Sequence, residues 1–529
     1  MEALESSLSS YSRGFLVLDA IDELDTARGY RDSLLTSLNT LSAKLMGRLS
    51  LFITSRIIAD NAESLVGSTT LEIKASELDI STFTQGRMSR LPSFVTQRPD
   101  LQSEIVGTIA RSAQGMFLLA ELHIGYLVGS ASPKALRMTL KQLPNGYDQA
   151  YRDIMRRIHR EKPQAQRDLA YQVLDWLTCA KRALTLPELR HALAVEPDRS
   201  ENYLDEENLP EEDQLVCTCE GLVIVDKTSG IIRLVHYTAQ DFFKNQVPVF
   251  PGDETQVTGI CLKYLSSEGL GGPCNSDDQY ESRLTSNPFY SFAARNWGHH
   301  SRNSEMSQIL DFVLKLLEDL TKVEAMSQAL STKSEQIIFH SRYPGYSQLF
   351  PLQMHGLHIA AYFGLKELVQ YMVVPQDPNI CNDSGMPVLS WAASRGHSEV
   401  VRNRVEHGAA HSAIDKDDHY GCTPLLLAAP NGHKTTVEYL LEKGASTHAT
   451  DRRGRTPLSW AAGEGHSQAV GALLAWHRGV DVDAVDEKCR SPLLMGAQRG
   501  FATVVRLFLD VGAAADKADK LRRTACLVH

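Results

Sequence analysis

Carboxylates gather at the end of a short apolar run near the start of the chain: Gly14-Phe-Leu-Val-Leu-Asp19, then Ala20-Ile-Asp22-Glu23-Leu24-Asp25. A second run, Leu49-Ser-Leu-Phe-Ile53, ends in Thr54-Ser55-Arg56, and Leu34, Leu35, Leu38, Leu41 and Leu45 lie between at helical period. Strand, crossover helix and strand make a βαβ unit, whose ligand crevice lies beyond the strand C-termini. Asp19, Asp22, Glu23, Thr54, Ser55 and Arg56 all fall there. Cradling β- and γ-phosphates takes a GxxxxGK[ST] loop, with its backbone N–H groups and lysine. No such string occurs in the 529 residues. The acids alone could hold a metal but not a nucleoside triphosphate. Elsewhere the chemistry is sparse. No GxSxG is present, the closest cysteines (Cys217 and Cys219) form CxC rather than CxxC, and the adjacent His299 and His300 point different ways on a helix.

The last third repeats itself. Leu357, Leu389, Leu425, Leu458 and Leu493 are spaced by 32, 36, 33 and 35 residues, inside GLHIAAYFG, PVLSWAASRGH, TPLLLAAPNGH, TPLSWAAGEGH and SPLLMGAQRG. A second phrase follows each, as in VVRNRVEHGA, TVEYLLEKGA and VVRLFLDVGA. This resembles the ankyrin repeat, a pair of short helices and a hairpin finger of about 33 residues. Thr423, Thr456 and Ser491 precede Pro424, Pro457 and Pro492, an N-cap hydroxyl and a first-turn proline. Paired alanines let the helices approach. Gly364, Gly396, Gly432, Gly465 and Gly500 end the first helices, and Gly408, Gly444 and Gly512 the second. Repeat one departs from the pattern with Gly356 where proline is usual. A sixth unit begins at Arg522–Thr524, which would leave the last apolar face uncovered.

Ankyrin stacks are expected to bind partners on a concave face of inner helices and fingers. The motif positions left free there are Tyr362, Trp391, Arg395, Asn431, Trp460, Glu464 and Arg499, with finger residues Asp418, Tyr420, Arg452, Arg453 and Lys488. Trp391 and Trp460 could instead pack between repeats.

The βαβ unit resembles the second half of a NACHT domain, the nucleotide switch of STAND proteins and NLR-like receptors. In particular it is similar to the fungal group that joins NACHT to a winged helix and ankyrin repeats. The resemblance continues through Gln114-Gly-Met-Phe-Leu-Leu119, Leu143-Pro-Asn-Gly146, Leu234-Val-His-Tyr-Thr238 and Phe292-Ala-Ala-Arg-Asn-Trp297. It implies Asp19 as the Walker B acid at Mg²⁺, Asp22 and Glu23 as acids orienting water, and Thr54–Arg56 as a γ-phosphate sensor. It also implies for His236 the place of the MHD-type histidine that reports a nucleotide diphosphate. In the family the phosphate loop precedes the Walker B strand by many tens of residues, whereas here the strand opens at Gly14. The expectation is therefore a vestigial site: phosphate strand, loop and first helix absent, and His236 a satisfied core histidine.

Between these ends, residues 165–245 have winged-helix order. Leu169, Val173, Leu174, Trp176 and Leu177 line one helix, a capping box at Thr185-Leu-Pro-Glu188 opens another, and Leu222–Val225, Asp226–Gly230 and Ile231–Tyr237 form a hairpin wing. The second helix has Arg190 and His191 balanced by Glu188, beside an acidic run, Glu201–Asp213, with seven acids and no base. A packing module is expected there rather than a DNA reader. Hydrophobic residues at 43%, charged residues at 22% and a net charge of −10 describe an ordinary globular protein with no general polyanion-binding surface. No apolar stretch approaches the about 20 residues of a membrane span, and nine scattered cysteines suit a reducing, intracellular, cytoplasmic setting of buried thiols.

The fold class expected is multidomain α/β + α. It comprises a partial P-loop-type parallel α/β domain at 1–78 (the NACHT remnant), a helical lid at 79–145, a winged helix at 146–245, a helical linker at 246–350 and an ankyrin-repeat solenoid at 351–529. The function expected is a protein-interaction scaffold that acts in signal transduction without NTP hydrolysis or cofactor, and that could self-associate. The alternative is an ATP- or GTP-dependent STAND switch using Mg²⁺, whose Walker A segment is missing from this chain.

Overall fold

The computed structural model describes residues 11–18, 34–35, 37–38, 40–42, 45, 48–54, 75–144, 146–196, 204, 206–245, 254–332, 344–373, 380–407, 414–476 and 479–525. It divides into two compact units, Met1–Ser76 and Glu77–His529. In the first, the apolar runs form strands β1 (Gly14–Leu18) and β2 (Leu49–Ile53). They pair in parallel, from Gly14 opposite Leu49 to Leu18 opposite Ile53. Described residues between 34 and 42 are helical. Strand alternation turns Leu16 and Leu51 onto a buried cluster of Leu41, Leu45 and Leu49. It turns Phe15, Val17 and Phe52 the other way, where they stay exposed. Thr54 closes β2 by donating its N–H to the Leu18 carbonyl at 2.9 Å. Asp19, Asp22, Glu23, Ser55 and Arg56 lie outside the described residues.

The second unit opens with helices, among them Pro99–Ser112, Phe117–Val128 and Tyr147–Glu161. Leu101, Ile105 and Ile109, four residues apart, bury one stripe of the first of these. The winged-helix region follows. Helix Gln164–Cys179 leads to strand β3 (Leu184–Thr185) and helix Leu186–Leu193. Strands β4 (Val223–Val225) and β5 (Ile231–Leu234) form the wing, with β5 central in an antiparallel sheet ordered β3-β5-β4. The capping box is formed: Thr185 N–H donates to Glu188 Oε2 at 2.8 Å, and Glu188 N–H to Thr185 Oγ1 at 3.4 Å. Arg190 and His191 are engaged internally, Arg190 with the Pro210 carbonyl at 2.8 Å and His191 with the Tyr264 hydroxyl at 3.2 Å.

Helices Glu254–Ser266, Tyr290–Ser301, Met306–Glu318 and Leu320–Ser331 come next. The two neighbouring histidines diverge. His300 is buried against Glu254, which also pairs with Lys181 at 2.6 Å, while the His299 ring stands edge-on to Phe363 at 5.2 Å. Phe363 belongs to the first repeat, so the helical segment forms the first layer of the repeat stack. The fit is close. A Cβ on Gly298 would enter the Phe363 ring, and one on Gly356 would stand 2.5 Å from Leu317 Cβ and against the Leu317 carbonyl. Gly356 therefore occupies the usual proline position because Met306–Glu318 leaves no room for a side chain. Among the described residues, no helix is long and apolar enough to cross a membrane.

Among the described residues five helix pairs follow, with first helices Gly356–Phe363, Val388–Ser394, Pro424–Ala428, Pro457–Gly463 and Pro492–Gln498. Thr423, Thr456 and Ser491 cap as expected, each accepting from the N–H three residues on at 3.2–3.3 Å. The glycine after each first helix does two jobs. At Gly364 and Gly465 φ is +75° and +80°, and a Cβ would meet the ring of the next repeat, His397 at 2.7 Å or Phe501 at 2.6 Å. The rings beneath are thus part of the stacking contact. His397 Nε2 reaches the Tyr362 carbonyl at 2.9 Å, and His433 Nε2 the Ser394 carbonyl at 3.1 Å.

Two predictions follow from this stacking. Gly356→Ala forces Leu317 to move, and overpacking of this kind costs about 2 kcal/mol. Thermal unfolding should show a lowered Tm, whereas Gly107→Ala, with open space around it, should not lower it. An unchanged Tm for Gly356→Ala would mean that the helical segment does not hold the first repeat. The second concerns pH. Burial, aided by Arg302, pushes His397 down to about 4, and burial likewise pushes His299 and His358 down to about 4. Unfolded, they titrate near 6.5 and bind more protons than the native state between about 6.5 and 4. Stability should therefore fall as pH drops through that window, with Tm several degrees lower at about pH 5 than at about pH 7. His397→Phe, copying Phe501, should remove roughly a third of that slope; an identical slope would contradict the assignment.

Candidate interaction surface on the repeats

Each finger is fixed by one carboxylate. Asp451 Oδ1 accepts the N–H groups of Arg453 and Arg455, each at 2.9 Å, while its Oδ2 takes Arg455 Nε at 2.9 Å. Asp486 does the same with Lys488, Arg490 and the Arg490 side chain, and Asp519 with Leu521, Arg523 and the Arg523 side chain. The Arg523 guanidinium and these N–H groups hold the Asp519 carboxyl below the usual carboxylate range. The sequence signal, D-x-x-x-R at Asp451, Asp486 and Asp519, was there to be read. At Asp418 the arginine is replaced by Cys422, but the backbone half remains, with Tyr420 and Cys422 N–H groups at 2.8 Å. Asp418 is only 6% exposed. Its expected role as a partner contact is corrected: its carboxylate is spent on the turn.

Successive fingers are tied to one another. His419 N–H donates to the Ser384 carbonyl at 2.8 Å, Arg452 to Tyr420 at 3.0 Å, Glu487 to Arg453 at 2.9 Å and Lys520 to Lys488 at 3.1 Å. The tips thus form one ridge, with Tyr420, Arg452, Arg453 and Lys488 exposed on it.

The first helices carry the other expected residues. Tyr362, Trp391 and Arg395 come together: the rings of Tyr362 and Trp391 are 5.9 Å apart, and the Arg395 guanidinium lies 4.1 Å above the Tyr362 ring. Trp391 therefore packs between repeats yet remains half-buried, and its Nε1 has no partner among the described residues. Trp460 is used within its own repeat. Its Nε1 donates to Asp451 Oδ2 at 3.2 Å, and the Arg455 guanidinium covers its ring at 3.6 Å. That bond places finger and first helix on one face. Glu464 is neutralised by Arg499 at 2.7 Å, and Arg499 also donates to the Gly463 carbonyl at 2.6 Å. Asn431 is exposed and donates to the Leu427 carbonyl at 2.8 Å.

The other candidates lie elsewhere. His236 is half-buried, with Nδ1 2.9 Å from Thr238 Oγ1 and its ring stacked 6.1 Å from Tyr147. Thr54 is exposed at the end of β2.

Family comparisons agree with two of these regions. The ankyrin repeats (3 copies) model matches residues 357–451, the single ankyrin repeat model 453–487, and the GPI inositol-deacylase winged helix domain model 159–252. The chain thus contains ankyrin repeats and a winged helix domain. Among curated relatives, human Rabankyrin-5 is 28% identical over 171 residues, covering 32% of this chain and 14% of that protein. Mouse ankyrin repeat domain-containing protein 63 is 32% identical over 162 residues, covering 29% and 40%. Azaphilone pigments biosynthesis cluster protein L of Monascus ruber is 26% identical over 331 residues, covering 59% and 62%. The match spans less than two thirds of the length of each. The solved ankyrin repeat domain of Bcl-3 is similar at 26% identity and a TM-score of 0.31, covering 34% of this chain and 78% of that one.

Proposed function

We propose that this chain is an interaction scaffold of NLR-like build, whose ankyrin repeats bind a protein partner while the preceding regions form a platform without NTP hydrolysis. The observation that carries the reading is the Tyr362–Trp391–Arg395 cluster beside a ridge of exposed finger tips, on a solenoid whose first-helix leucines and paired alanines, such as Leu389, Ala392 and Ala393, are already buried. Half-exposed aromatic rings beside an exposed arginine are the side-chain types that dominate interface energies. The division that goes with it is a NACHT remnant at 1–78, a helical lid at 79–145, a winged helix at 146–245, a helical linker at 246–350 and the repeats at 351–529. The parallel pairing of β1 and β2 supports the remnant. The internal engagement of Arg190 and His191 favours a packing role for the winged helix over nucleic-acid binding. A cytoplasmic setting belongs to the same proposal.

The partner test uses the full chain. A partner captured by crosslinking should bind Tyr362→Ala/Arg395→Ala at least tenfold more weakly in calorimetry, about 1.4 kcal/mol, with the chain still folded by circular dichroism, and the exposed Arg395→Ala alone should weaken it with Tm nearly constant. Undiminished binding would remove the first-helix face from the reading. The nucleotide test is separate. With Mg²⁺ the chain should show no saturable ATP or GTP binding, because carboxylates without a phosphate loop repel the triphosphate. Micromolar binding that Asp19→Asn abolishes would favour the switch instead.

A further inference from the structure

We propose that the finger ridge from Tyr420 to Arg522 docks an extended acidic segment of a partner protein, with carboxylates at about every third residue. The inference rests on the interaction reading and specifies the partner's chemistry. The tips of the last three fingers present Arg452, Arg453, Lys488, Lys520 and Arg522, all exposed, against the single acid Glu487. The finger carboxylates that could have neutralised them are turned inward, each held by its own i+4 arginine. Among the described residues, no carboxylate lies within ion-pair distance of Arg453, Lys488, Lys520 or Arg522.

A second observation concerns the backbone. Where the fingers of Asp418 and Asp451 have glycine at positive φ, Gly421 and Gly454, the next two have side chains, Cys489 at φ +59° and Arg522 at φ +61°. A side chain at positive φ is strained, and such strain tends to persist at functional positions. The retained group is a further cation at the end of the row.

The ridge sets the form of the ligand. Its tips are linked in sequence by backbone hydrogen bonds, so the cations run as a line. Stacked helices repeat at about 8–10 Å, and an extended chain rises about 3.3 Å per residue, hence one finger for about three residues. Apolar side chains alternate with the cations: Tyr420 is 61% exposed and Leu521 72%. That mixture suits carboxylates interleaved with apolar residues better than a phosphate backbone, which draws a strongly basic footprint. The sequence pI of about 6.0 offers no such footprint.

The test measures fluorescence anisotropy of the full chain with a labelled peptide of Glu-Leu-Ser repeated about four times, beside its Gln-Leu-Ser counterpart. The acidic peptide should bind saturably with a micromolar Kd that weakens with salt. The Gln peptide should bind on the order of tenfold more weakly, as should the acidic peptide to Arg453→Glu/Lys488→Glu. Arg522→Glu, at the chain's far finger, provides a second variant should the first unfold by circular dichroism. Absence of saturable binding, equal binding of both peptides, or undiminished binding by a folded variant overturns the proposal. So does tighter binding of duplex DNA or of phosphatidylserine vesicles than of the acidic peptide. A captured partner that is lost with Tyr362→Ala/Arg395→Ala but indifferent to ridge reversal sinks the ridge alone. One indifferent to both sinks the interaction reading of this face.

Discussion

A buried carboxylate that gathers two backbone N–H groups and a guanidinium governs the shape of this molecule's C-terminal surface. Hydrogen bonds to a charged acceptor are stronger than those between neutral groups, and a carboxylate that accepts several of them fixes the turn around it. Asp451, Asp486 and Asp519 each hold such a set, so their fingers have little freedom to collapse onto the helices. The same clamp sorts charge. It draws Arg455, Arg490 and Arg523 inward and leaves the side chains between acid and arginine pointing outward. A repeat region with as many acids as bases over residues 352–529 can thereby present a basic edge.

Stacking depends on a different constraint, the absence of a side chain. Gly364 and Gly465 receive the ring of the following repeat where a Cβ would stand, and Gly298 and Gly356 extend that closeness into the helices before the first repeat. Described residues of the preceding helices thereby cover the N-terminal face of the solenoid at Phe363 and Gly356. Stability in such arrays is carried by neighbour contacts, so the layer at residues 290–331 belongs energetically with the repeats although it lacks their sequence motif.

What was legible in the sequence follows from what is periodic. The recurring Thr-Pro-Leu, the paired alanines and the terminal glycines express local rules, capping and close approach, and those elements formed where expected. The winged helix was readable from its capping box and hairpin for the same reason. Asp418 was misread because an acid in a turn resembles a solvated one; only the N–H groups of Tyr420 and Cys422 reveal its use. Trp460 was ambiguous until its bond to Asp451 assigned it to the finger. The contact of Gly298 with Phe363 joins residues far apart in sequence and has no period, so nothing local announced it. The histidine of the Gly-His pairs stood in plain sight within the repeat motif, but its reach to a carbonyl of the preceding repeat is a tertiary fact.

The division of labour along the repeats is also a division between stability and recognition. Histidine rings, glycines and clamped aspartates are buried or half-buried, where substitution is felt through packing and desolvation. Finger-tip lysines and arginines touch little, so their removal costs the fold little. A surface whose framework is held by buried polar clamps can vary its tips without disturbing the stack. That is why the departures from the repeat pattern, Glu487 in one finger and Arg522 in another, are informative about a ligand. Glu487 occurs where the framework imposes no choice, whereas Arg522, like Cys489 in the finger before it, occurs where the backbone opposes a side chain.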